Sequence, residues 1–64
     1  MIRRYYLQLL TSGKEITLEY EAASEIKAIR NAKRLAGERK ILRLFYEQID
    51  ADTGETTTVE LIVV

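Results

Sequence analysis

Two segments that alternate apolar and polar residues, 5–20 and 40–64, flank one stretch of helical periodicity at 24–36, and together they consume almost the whole chain. Each alternating segment is long enough for two strands and a turn. The pattern therefore restricts the fold to ββαββ, an α+β arrangement in a single domain spanning residues 1–64. A chain this short buries roughly 60% of the surface it exposes when unfolded, so its core is small. With no cysteine and no histidine, a disulfide and a histidine- or thiolate-bound structural metal are excluded as reinforcement. Tight packing and self-association are the remaining devices.

The first hairpin specifies its own register. A two-residue turn at Ser12 and Gly13 sets Leu9 opposite Ile16, Leu7 opposite Leu18 and Tyr5 opposite Tyr20, three apolar pairs on one face. The other face then pairs Arg4 with Glu21, Tyr6 with Glu19, Gln8 with Thr17 and Leu10 with Glu15. A three-residue loop would slide Glu15 opposite Leu9 and put a charge in the core. In the second hairpin, a four-residue loop within residues 50–55 ends on Gly54 in a left-handed conformation. This sets Tyr46 against Val59, Leu44 against Leu61 and Leu42 against Val63. A two-residue turn at Thr53 and Gly54 would oppose Glu47 and Glu60, and is disfavoured.

Between the hairpins, Ser24 is placed to cap the helix and Gly37 to end it, with Lys33 and Arg34 near the negative end of its dipole. Ala28, Ile29, Ala32, Leu35 and Ala36 form the apolar stripe. The middle alanines allow close approach to a sheet. The second strand carries Glu15, Glu19 and Glu21 and the fourth opens on Glu55 and a threonine run, so both suit an edge. Strand order 2-1-3-4 follows, with every neighbouring pair antiparallel and the helix covering one face of the sheet.

The uncovered face is expected to display Tyr6, Leu10, Ile41, Phe45, Ile49, Ile62 and Val64, an apolar set that marks a protein interface. We expect a small non-enzymatic interaction module, homodimeric through this face or docked there to a protein partner. The alternative is a nucleic-acid-binding accessory protein. Either Tyr6 and Phe45 stack bases while Arg4 and Arg43 meet phosphate, or the basic helix face of Lys27, Arg30, Lys33 and Arg34 contacts the backbone. Glu15, Glu19, Glu21, Glu47 and Glu60 share the aromatic face and oppose the first version. Ten basic and ten acidic residues cancel, so no overall field favours a polyanion.

Little in the sequence supports catalysis. There is no histidine or thiol and no phosphate-binding loop, and Ser12 and Ser24 have sufficient structural roles in a turn and a cap. The segment from Asp50 to Glu55 resembles the start of a calcium loop, but its glycine falls one position early and the closing bidentate carboxylate is missing. No cofactor, metal or small-molecule substrate is expected. No segment has the length and apolarity of a membrane span or a signal peptide, so the expected setting is the cytoplasm.

Overall fold

The computed structural model describes residues 2–63 and contains β1 (Arg3–Thr11), β2 (Lys14–Ala22), α1 (Glu25–Ala36), β3 (Lys40–Ile49) and β4 (Thr56–Leu61). The four strands form one antiparallel sheet in the order β2-β1-β3-β4. Val64, expected on the uncovered face, lies outside the described residues.

Turn chemistry sets both hairpins. Ser12 and Gly13 have φ of 50° and 78°, the positive pair needed by a two-residue type I′ turn. The resulting register pairs Tyr5 with Tyr20, Leu7 with Leu18 and Leu9 with Ile16, as the alternation predicts. At the second turn, the Asp50 N–H donates to the Glu55 carbonyl at 2.8 Å and the Gly54 N–H donates to the Asp50 carbonyl at 2.8 Å. Gly54, at φ 75°, supplies the left-handed residue that ends the loop. One oxygen of the Asp50 carboxylate accepts the N–H groups of Asp52 and Thr53 at 2.8 and 3.1 Å. Those bonds hold its carboxyl below the usual aspartate range. Glu47 faces Thr58 rather than Glu60, as the longer loop requires.

The helix begins where Ser24 Oγ accepts the Lys27 N–H at 3.2 Å. Its end carries more than the expected glycine. Gly37, at φ 61°, donates its N–H to the Lys33 carbonyl. Arg39 then turns back so that its guanidinium donates to the carbonyls of Leu35 and Ala36 at 2.6 and 3.1 Å. These bonds satisfy acceptors that every helix terminus leaves open, with a positive charge at the negative end.

Ala28, Ala32 and Ala36 are buried and lie on one side of the helix, above a core of Tyr5, Leu7, Leu9, Ala22, Leu44 and Tyr46. Leu35, expected in the apolar stripe, instead sits at its margin and is 37% exposed. Three positions from Ala32, it lies about 60° around the helix from the middle of the stripe. Tyr5 stacks on Tyr20 at 6.1 Å and meets Tyr46 edge-on at 5.6 Å. The Tyr20 hydroxyl donates to the Ala28 carbonyl at 2.5 Å, tying the edge strand to the helix.

One departure changes the outer face. The β1–β3 register shifts between Gln8 and Leu9, so that Arg43 faces Gln8 but Ile41 faces Leu9, leaving Leu42 as the extra residue of a bulge. Uninterrupted alternation would send Ile41 outward and Lys40 toward the helix. The bulge reverses both: Ile41 packs against the core, and Lys40 faces Leu10 on the outer side. Ile41 is therefore removed from the expected interface, for the physical reason that burying a lysine costs far more than bending a strand. The expected Leu42–Val63 pair does not form, because the β3–β4 ladder ends at Leu44 and Leu61, while Val63 still packs against the core.

Ala32→Leu should overpack the helix–sheet interface and cost about 1–3 kcal/mol, read as a lower urea midpoint. An unchanged midpoint would contradict the close helix contact. Burial, with a further contribution from Tyr5, pushes the Tyr20 hydroxyl up to about 12 from an ordinary value of 10.0. The folded state thus favours the protonated phenol, and its stabilisation is complete below the unfolded value and lost as pH rises from about 10 toward 12. Tyr20→Phe should cost about 0.5–1.5 kcal/mol at neutral pH and flatten the alkaline fall in stability. Parallel alkaline profiles for wild type and Tyr20→Phe would contradict this coupling.

Candidate interaction face

The face opposite the helix is built from alternate residues of the central strands. A row crosses the whole sheet in the order Glu19, Tyr6, Phe45 and Glu60, one residue from each strand. The Tyr6 and Phe45 rings stack at 5.4 Å with 21° between their planes, and both are half-buried. Arg43 lies with its guanidinium 4.6 Å from the centre of the Phe45 ring and forms a salt bridge with Glu60. The aromatic pair is thus flanked by glutamates, one of them neutralised within the chain.

The other expected interface residues surround this pair at different distances along the strands. Leu10 is half-buried between Glu15 and Lys40. Ile49, at the far end of β3, is 71% exposed, and Ile62, just past β4, is 84% exposed. Ile41 is absent from the face because of the bulge. Ile2, not anticipated there, is 67% exposed, and extending the β1–β3 register sets it near Ile49. Continuing the alternation of Arg4 and Tyr6 back by two residues would have identified it. The face consequently has an aromatic centre and apolar corners rather than one continuous greasy sheet.

On the opposite side of the molecule, Lys27, Arg30, Lys33 and Arg34 are exposed on the helix. Arg34 donates to the Asn31 side-chain oxygen at 3.1 Å. This basic cluster and the aromatic pair are separated by the full thickness of the sheet and helix, so they do not form one surface. The stacking platform is also preoccupied: Arg43 covers Phe45 where a base would lie, and Glu60 holds that arginine.

A pocket of about 260 Å³ opens beside the helix start, lined by Arg3, Tyr5, Ala23, Ser24 and Glu25. Two of its polar groups are engaged: Arg3 lies 4.0 Å from the centre of the Tyr46 ring, and the Ser24 hydroxyl caps the helix. Among the described residues, no group of three or more aspartate, glutamate, histidine or cysteine side chains converges to hold a metal ion. None of the described helices is long and apolar enough to cross a membrane. No family model matches the chain, and comparisons with curated proteins and with solved structures find no match.

The occupied platform and the glutamates around it predict at most weak, salt-sensitive binding of single-stranded or duplex oligonucleotides, measured by fluorescence anisotropy near physiological salt. Tight binding lost in a Tyr6→Ala, Phe45→Ala double variant would reinstate the platform. Loss in Arg30→Ala with Arg34→Ala would instead assign the activity to the helix.

Proposed function

We propose that this protein is a small non-enzymatic interaction module of the cytoplasm that self-associates through its helix-free face. The observation that carries the reading is the Tyr6–Phe45 stack at the centre of that face, left half-exposed with no helix above it. Aromatic pairs at the middle of an interface supply much of its apolar contact, and their removal from water contributes roughly 25 cal/mol per Å² before the costs of association. A sheet covered on one side only has little other means of enlarging a core of this size.

The charge distribution favours one way of closing the pair. A two-fold axis along the strands places β1 of one copy over β3 of the other, so that each Tyr6–Phe45 pair meets its counterpart. The glutamate-rich β2 then lies over the partner's β4 rather than over its own copy, which avoids stacking two rows of like charge. Arg43 already neutralises Glu60 on that strand. The cytoplasmic setting agrees with a composition free of cysteine.

Sedimentation over a concentration series should show the wild-type protein associating, and Phe45→Glu should lose the association step made through this face, with a lower melting temperature for the variant because it loses that partner's stabilisation. A wild-type protein that remains monomeric to high micromolar concentration would refute self-association.

A further inference from the structure

The two edges of the sheet are protected very differently. Along β2, Lys14, Glu15, Glu19 and Glu21 charge the exposed edge, a usual defence against pairing with another strand. Along β4, Thr56, Thr57, Thr58, Val59, Glu60 and Leu61 include one charge, and that charge is already bound by Arg43. On its helix side, Val59 and Leu61, followed by Val63, pack against the core yet remain half-exposed. The helix lies chiefly over β1, β2 and β3, so this apolar row runs along an open border.

The phase of the ladder shows which backbone groups are free. Asp50 and Glu55 are joined by a backbone hydrogen bond at the loop, and bonded pairs alternate from there along an antiparallel ribbon. Thr57, Val59 and Leu61 therefore bond to β3, through Gln48, Tyr46 and Leu44. Thr56, Thr58 and Glu60 turn their N–H and C=O groups outward.

We propose that β4 pairs antiparallel with β4 of a second copy about a two-fold axis at Val59, joining two sheets into one of eight strands. In this register Val59 faces its own copy and Thr57 faces Leu61 on the helix side, while Thr58 faces Glu60 and Thr56 faces Ile62 on the outer side. The outward backbone groups of Thr58 and Glu60 satisfy one another, and half-exposed Val59 packs on its own copy with Leu61 over Thr57 beside it. Moving the axis to Glu60 would oppose two glutamates. Moving it to Thr58 would bring Glu55 against Leu61 on the helix side. The Val59 register sets Glu60 against Thr58 and moves Glu55 opposite Val63, past the end of β4, so no charge meets an apolar residue within the paired strands, and this self-complementarity commits the edge to a second copy of the chain. The contact is separate from the aromatic face.

The chain has no cysteine, so a single introduced thiol reports the contact cleanly. Facing residues at a non-hydrogen-bonded position have Cα atoms about 4.5 Å apart, within disulfide range. Under mild oxidation Val59→Cys should form a disulfide-linked dimer, and Leu18→Cys, half-buried at the centre of β2, should not. Adding Thr58→Pro should suppress the Val59→Cys crosslink, since it removes an outward N–H while leaving the bonds to β3 intact. Adding Phe45→Glu should leave the crosslink in place, which separates this edge from the aromatic face. In the unmodified protein, the amides of Thr58 and Glu60 should gain hydrogen-exchange protection as concentration rises. Crosslinking of Val59→Cys no faster than Leu18→Cys, its loss with Phe45→Glu, or solvent-rate exchange of both amides at millimolar concentration would each overturn the proposal.

Discussion

Close approach between the alanine side of α1 and the core row of the central strands, Tyr5, Leu7 and Leu9 on β1 with Leu44 and Tyr46 on β3, is the contact on which the remaining structure depends. Leu7, Leu9, Ala28 and Ala32 are inaccessible to solvent, and Tyr5 is nearly so. A larger residue at the alanine positions would lift the helix and open the apolar surface on both sides of it. Because the helix sits low, its margins are formed by side chains that reach around it. Tyr20 does this from β2 through its bond to the Ala28 carbonyl, and Arg39 from beyond the helix end through the Leu35 and Ala36 carbonyls. The helix is therefore anchored by packing along its length and by hydrogen bonds near both ends.

Economy of size explains what is left exposed. A helix of 12 residues extends about 18 Å, whereas a strand of 9 residues extends about 30 Å. One such helix cannot cover a four-stranded sheet, and the apolar residues beyond its reach, such as Ile16, Leu18, Val59 and Leu61, stay half-buried. The helix-free face is compensated differently. There, Tyr6 and Phe45 cover each other and Arg43 covers Phe45, so the central aromatics are partly shielded by neighbours within the same sheet. Both features motivate the proposed contacts with another copy, at different surfaces and with different chemistry: ring stacking at the face, backbone pairing at the edge.

Glutamates shape both surfaces. Glu19 and Glu60 bound the aromatic row, making a polyanion a poor fit there, and the acidic residues of β2 discourage strand addition along that border. The β4 border lacks an equivalent set. This asymmetry, together with zero formal net charge, gives the molecule locally charged surfaces without a long-range preference for one sign of partner.

The sequence by itself determined what depends on neighbouring residues. The register of β1 with β2 follows from alternation and from a turn that accepts positive φ at Ser12 and Gly13; the Ser24 cap and the Gly37 stop are equally local. Strand order was also legible, because the distribution of glutamates and threonines distinguishes edges from centre. Tertiary structure alone decided how β3 lies on β1. Those strands are joined through a helix rather than a turn, so no local geometry holds their phase, and a bulge at Leu42 exchanges the sides of Ile41 and Lys40. It also decided that Leu35 remains at the margin, which depends on how the helix lies on the sheet, whereas the Arg39 closure is a local contact, three and four residues back, that apolar patterning does not register. Alternation identifies which residues share a side of one strand; the cost of burying Lys40 is felt only when a second strand and the helix are already in place.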